Sequence, residues 1–329
     1  MTTLYGQNLR VWTDTNWGQT STVDYRVIAA ATNCTVNHTK DTADATHKDI
    51  HSMFQNPEGT NKRCSVTVES LYVDEFDLLL RAILANKPFY IRWDESGGEL
   101  NQQPLECGYH QAALAYISDF TLTANNRENC TFSVTFTTTG PVMHDSDPDW
   151  SDADVFNTRK GQKMRLMIGD DSNIGVIAAA MQLSFHVSVS LEDATTKDTV
   201  EEWAIVEPTG ISYDISSTAL IRSGETITSL ERSRDLQAVL DDYSGDVVWR
   251  IGFASGPNNR QVTPLVTGTA IITSITLNGP NRQKATYSFQ MQGVGAFALP
   301  QMQTGSTSIS NGSNSGNNGG QADPSDITP

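Results

Sequence analysis

The chain is poor in charge, in cysteine and in long apolar runs. Only 18% of its residues are charged, and the basic side chains are outnumbered 22 to 38, for a formal net charge of −16. Both halves of the chain are acidic. With no basic patch to release counterions from phosphates, tight nucleic-acid binding is excluded. A surface that nucleic acid slides past without sticking is compatible with this charge. No apolar run approaches the length of a membrane span. The opening MTTLYGQNLRVW has neither a basic n-region nor an apolar h-region. The expectation is a protein with no Sec signal, made and kept in the cytosol or leaving it by another route.

The four cysteines, Cys34, Cys64, Cys107 and Cys130, all fall before residue 150. In the internal repeat described below, Cys34 aligns with Leu183 and Cys130 with Ala285. Apolar counterparts predict small buried hydrophobes, not a disulfide framework or ligands.

Chemistry-bearing motifs are equally sparse. Asp145-x-Asp147-x-Asp149 resembles the start of a calcium loop but lacks the glycine and the distal glutamate, so it reads as a solvated acidic linker. His47 and His51 could share a helical face, with Cys64 or His38 completing a metal site. The segment has no helical pattern and its counterpart has no matching histidines, so a surface loop is preferred. Gly293-x-Gly295 lacks the third glycine and the following helix of a dinucleotide loop. Asn33, Asn37 and Asn129 head incidental sequons. Asp94, Glu95 and Glu99 show no sign of a shared acid–base pocket and read as a solvated loop. The sequence therefore assigns no catalytic, cofactor-binding or metal-ligating residue and implies no cofactor, which points away from an enzyme.

What is present is alternation and repetition. In residues 117–140, ISDFTLTANNRENCTFSVTFTTTG, Cys130, Phe132, Val134 and Phe136 alternate with Thr131, Ser133, Thr135 and Thr137. Asn125-Asn126-Arg127 makes a hairpin turn. The unit recurs 155 residues later at 272–295, ITSITLNGPNRQKATYSFQMQGVG, where Phe120 and Leu122 fall on Ile275 and Leu277 and the second apolar set becomes Ala285, Tyr287, Phe289 and Met291. A second match has an offset of 149. VIAAA at 27–31 recurs at 176–180, and residues 44–49 match residues 193–198 at five of six positions.

Each copy reads as strand, strand, polar arm, strand, helix, strand, hairpin. The arms, about 39–63 and 192–209, are too hydrophilic for a core and predict long exposed loops or hairpins that need a neighbour. SVTVE at 65–69 and ISYDI at 211–215 read as matching strands. One helix carries the stripe Phe76, Leu79, Leu80, Ile83 and Leu84, with Asp74 as cap and Pro88 beyond its end. The other carries Leu236, Val239 and Leu240 after a Thr228-x-x-Glu231 capping box. Residues 89–93 and 247–251 are the next strand pair. The predicted class is mainly β: two tandem β-sandwich or barrel domains, each with one flanking helix. The first copy spans 1–143, an acidic linker 144–160, the second copy 161–300, and a Gly/Ser/Asn-rich tail expected to be disordered 301–329.

The VIAAA-to-strand opening with residues 44–49, the strand-then-helix at 65–85 and the closing ISDFTLTANNRENCTFSVTFTTTG together resemble the major tail tube protein of long-tailed bacteriophages. The most specific part is the pair of strands around an Asn-rich turn with its Glu128-Asn129-x-Thr131-hydrophobic-Ser133-hydrophobic run. The resemblance covers most of 9–142 and recurs more weakly over 164–297, where Gln283-Lys284 replaces Glu128-Asn129. It implies a virion structural protein, assembled in the host bacterial cytoplasm, that self-associates into rings stacked as a hollow tube. It also implies contacts with the tape measure, tail terminator and baseplate or distal tail proteins, DNA passing through the lumen without specific binding, and no membrane. Because the domain is written twice, the expectation is three chains per ring with pseudo-sixfold symmetry.

Two other readings compete. One is the inner tube of a phage-like injection or secretion system. The other is a cell-surface or secreted β-sandwich adhesin, a glycan-binding module with Trp12, Trp17, Trp93, Trp150, Trp203 and Trp249 as stacking platforms.

Overall fold

The computed structural model describes residues 9–14, 25–28, 30–44, 57–72, 77–95, 110–144, 158–169, 174–177, 180–195, 203–221, 233–234, 239, 245–255 and 261–300. In chain order the strands are β1 (Leu9–Asp14), β2 (Tyr25–Val27), β3 (Ala31–Asp44), β4 (Pro57–Leu71), β5 (Phe89–Glu95), β6 (His110–Asn125), β7 (Thr131–Thr138) and β8 (Met143–His144). They continue as β9 (Met164–Gly169), β10 (Gly175–Ile177), β11 (Ala180–Asp193), β12 (Val206–Leu220), β13 (Ser233–Arg234), β14 (Asp246–Ser255), β15 (Gln261–Asn278) and β16 (Thr286–Ala298). The helix α1 (Asp77–Ala85) lies between β4 and β5. The class is mainly β, as the alternation predicts.

The strands form one hydrogen-bonded network of 16. In the first half the neighbour order is β2-β1-β5-β6-β7-β4-β3; in the second it is β10-β9-β14-β15-β16-β12-β11. The registers match as well as the order. Val36 faces Val66, and 149 residues on Phe185 faces Ile215. Phe120 faces Val134, and 155 residues on Ile275 faces Phe289. Ile91 faces Ala113, while Trp249 faces Gly268. Two of the irregularities coincide as well. Register shifts fall between Ile117 and Asp119 and between Ile272 and Ser274, and again between Ala31 and Asn33 and between Ala180 and Gln182. A bulge bends a strand and raises its local twist, so the two halves bend at the same places. Arg127 and Arg282 hold matching positive φ angles of 72° and 62° in the two hairpin turns.

The register corrects the expected strand match. Ser65 and Asp214 occupy equivalent places, facing Thr137 and Gln292, so SVTVE is not in phase with ISYDI. Ile211 belongs to the polar outer stretch of β12, where it is exposed, and its apolar character made the motif look three residues out of place. The arms are also more regular than loops: their described stems are the paired ends of β3 with β4 and of β11 with β12. Residues 45–56 and 196–202 lie outside the described ones.

In α1, Leu79, Leu80 and Ile83 are buried and Leu84 packs beside them. The helix stops where Asn86 turns left-handed at φ 51° and donates to the Ile83 carbonyl, a common helix end for asparagine. Phe76 and Asp74 lie outside the described residues. So does the second helix apart from Val239, which is buried. The acidic linker up to residue 157 and the tail 301–329 are outside them too.

Candidate functional site

Among the described residues, no group of three or more His, Cys, Asp or Glu is placed to hold a metal ion. His38 and Cys64 face each other across β3 and β4, with the His38 ring edge-on to Trp203 at 6.5 Å. His47, His51, Glu99, Cys107, Asp145, Asp147 and Asp149 lie outside the described residues, while Asp94 and Glu95 sit on β5 opposite Arg10 and Leu9 of β1. Gly293 is occupied by packing: its backbone lies under the Tyr213 ring. The thiols of Cys34, Cys64 and Cys130 are free, and burial pushes them up to about 11, 12 and 12. Trp12, Trp93 and Trp249 are core residues, which removes three of the six platforms from the glycan-binding alternative.

The feature that stands out is the junction between the halves. Strand β6 is long enough to serve two partners. Its first part, 110–115, pairs with β5, and its second, 119–125, pairs with β11. Leu183, Phe185 and Val187 of β11 face Ala124, Leu122 and Phe120 of β6, and all six are buried. On the opposite face the same strands present Thr121, Thr123, Ser184 and Ser188. There His186 bridges two carboxylates, with Nε2 2.7 Å from Asp119 Oδ2 and Nδ1 2.8 Å from Asp214 Oδ1. Burial acts to lower its pKa, but the bonds and charges of Asp119 and Asp214 outweigh this and raise it above the ordinary histidine value.

Further along, Arg63 of β4 ties Asp41 of β3 at 3.2 Å to Asp193 of β11 at 2.6 Å. Hydrogen bonds from Thr195, with a contribution from Arg63, hold Asp193 below the usual carboxylate range. Thr139 Oγ1 donates to the Val206 carbonyl at 3.2 Å and accepts from its N–H at 3.0 Å, and Gly140 N–H donates to the Ala204 carbonyl. At the hairpin turn, Gly161 lies so close to Asn125 that a Cβ would overlap the Asn125 backbone.

The junction makes one continuous run of eight strands, β3-β4-β7-β6-β11-β12-β16-β15. One face of the run is apolar, buried across its middle strands and partly exposed at the outer ones, at Cys34, Val36, Ile275 and Leu277. The other carries Thr67, Ser133, Thr135, Thr121, Ser184, Ser216, Thr218, Ser288 and Gln290, together with Glu69, Asp119 and Asp214. The hydroxyl stripes were legible in the sequence; that they join across the two halves was not, because pairing between β6 and β11 leaves no local signal.

No family model matches the chain and no curated protein matches it. Solved structures of a tail, a virion and a tail tube match parts of the chain. The tail of an empty gene transfer agent particle, refined helically with C6 symmetry, matches at 18% identity over 43% of this chain and 98% of that chain, with a TM-score of 0.34. The virion of a native gene transfer agent particle matches at 20% identity over 41% and 95%, TM-score 0.31. The SPP1 tail tube, a hybrid structure by solid-state NMR and cryo-EM, matches at 14% identity over 43% and 78%, TM-score 0.30. Among the described residues no helix is long and apolar enough to cross a membrane.

Proposed function

We propose that this protein is the major tail tube subunit of a bacteriophage-like tail, a structural virion protein and not an enzyme. Residues 1–143 and 161–300 are one tube domain written twice, joined by the linker 144–160. Three chains close into a ring with pseudo-sixfold symmetry, and rings stack into a hollow conduit through which DNA passes.

The observation that carries this reading is the contact of the second half on the first. It is head-to-tail: β11 of the second half seats on β6 of the first, and the two strands are not equivalent in the shared order. A heterologous contact repeated between like units either closes into a ring or runs on as a filament. Three chains contribute eight strands each, a closed wall of 24. At about 4.8 Å between strands and a tilt of about 40°, such a wall is about 50 Å across between backbones, within the range of barrels that enclose water-filled channels.

The polar face lines that channel on this reading, because the apolar face of the middle strands is already covered within the chain. Glu69, Asp119 and Asp214 then point at the passing DNA, and like charge keeps it from sticking. The arms reach the neighbouring rings, and the open ends of the stack meet the tape measure, tail terminator and distal tail proteins. The tube is assembled in the bacterial cytoplasm and resides in the virion.

Negative-stain electron microscopy of concentrated protein tests the proposal. Rings or hollow rods with threefold end views are expected. Rings of six chains, or a protein that remains monomeric even when supplied with tail initiator proteins, would overturn it.

A further inference from the structure

The junction within the chain predicts the junction between chains. By the shared strand order, β3 is the equivalent of β11, and the 274–280 stretch, which begins in β15, is the equivalent of residues 119–125 of β6. Among the described residues, β3 pairs only with β4, and β15 pairs with β14 only up to Ile271, so its 272–278 flank is open. The side chains agree. Phe120 and Leu122 at the internal junction are 0% and 1% exposed, whereas their equivalents Ile275 and Leu277 are half-buried and 58% exposed. Leu183 and Phe185 are buried, whereas Cys34 and Val36 are only partly so. Each end of the chain thus carries, bare, one side of an apolar seam that is covered in the middle.

We propose that these two edges pair with each other between copies of this chain: the outer edge of β3 of one molecule adds antiparallel to the open flank of β15 of the next. The register is that of the internal junction, which sets Val36 opposite Leu277, His38 opposite Ile275 and Asn37 opposite Thr276. Open edges with unpaired backbone groups and an apolar stripe favour strand addition. The occupant is a second copy because the same unit already fills the same place inside the chain. The bridging triad is absent from this seam: Ser274, Asn37 and Ser65 stand where Asp119, His186 and Asp214 stand internally. The seam between chains is neutral, held by backbone pairing and apolar contact.

This inference rests on the ring reading but fails separately from it. The pair Asn37→Cys with Thr276→Cys, on the exposed polar face, is oxidised in assembled particles or in concentrated protein and run on a non-reducing gel. Chain-to-chain products are expected, and at least tenfold less from Asn37→Cys with Leu277→Cys, which is one residue out of register and on the opposite face. The variant Leu277→Asp is expected to stay folded, since the side chain is exposed, and to lose assembly by sedimentation. Rings that form without cross-linking, or that form as in wild type with Leu277→Asp, overturn the seam and leave the tube reading standing. Cross-linking in open chains that never close supports the seam and overturns the ring. Soluble protein that neither links nor assembles overturns the seam.

Discussion

His186 on β11 and Asp119 on β6 meet at 2.7 Å across the junction of the two halves, and Asp214 holds the other ring nitrogen. The carboxylates raise the His186 pKa in the folded chain above its unfolded value near 6.5. A group raised on folding contributes its stability fully below the unfolded pKa and loses it as pH rises through the folded one. The variant His186→Asn, which copies the matching Asn37, is therefore expected to melt below wild type at about pH 5.5. The gap should shrink toward about pH 9. Equal gaps at both pH values, measured by calorimetry, would show that the triad does not titrate as a bridge.

Leu122 and Leu277 are the same residue at equivalent positions, one covered and one bare. Truncating a buried leucine costs about 2–5 kcal/mol through lost transfer energy and the cavity left behind. Leu122→Ala should lose stability in that range by denaturant unfolding. Leu277→Ala should change the dispersed chain by no more than about 0.5 kcal/mol, as for a surface site. It should nonetheless weaken assembly. Comparable losses from both in dispersed protein would mean that Leu277 is covered within its own chain.

Most strands and both hairpin turns were legible because period-2 alternation is local: Phe132, Val134 and Phe136 announce their face without help from the rest of the fold. The recurrence of the apolar pattern at 272–295 was legible for the same reason. The phase of β12 was not, because Ile211 continues the apolar alternation beyond the point where the core ends. Nor was the junction: Phe120 and Phe185 are ordinary strand residues until β6 is seen to outlast β5 and take up β11. Nothing in the sequence distinguishes Leu122, which β11 covers on its second flank, from Leu277, whose matching flank is open among the described residues.

Gly293 and Gly161 are both pressed against neighbours, of different kinds. A Cβ at Gly293 would overlap the ring of Tyr213, whose hydroxyl donates to the Thr269 carbonyl at 2.7 Å. The ring is wedged among Phe185, Trp249 and Phe297, so it has little room to yield. Overpacking of this kind costs about 1–3 kcal/mol, and Gly293→Ala should lose that much. At Gly161 the obstacle is the Asn125 backbone, which cannot rotate away. Gly161→Ala should detach the start of the second half from the first hairpin and increase proteolysis near residue 160. Unchanged melting and unchanged cleavage would remove the packing argument at both sites.

Cys34 offers a native reporter of the seam between chains. Burial holds its thiol at about 11, so only about one molecule in ten thousand carries the reactive thiolate at neutral pH. Cys64 and Cys130, at about 12, are more inert still. In a Cys107→Ser background, a thiol reagent should label the dispersed native protein slowly, at Cys34 first because it alone of the three is not fully buried. The position equivalent to Cys34 is Leu183, which is buried where β11 meets β6. On assembly Cys34 should be covered in the same way by the next chain's 274–280 stretch, and its labelling should fall at least tenfold. The rates at Cys64 and Cys130 should not change, since both are already buried inside one copy. Labelling of Cys34 that is as fast in assembled particles as in dispersed protein would place β3 outside the contact between chains.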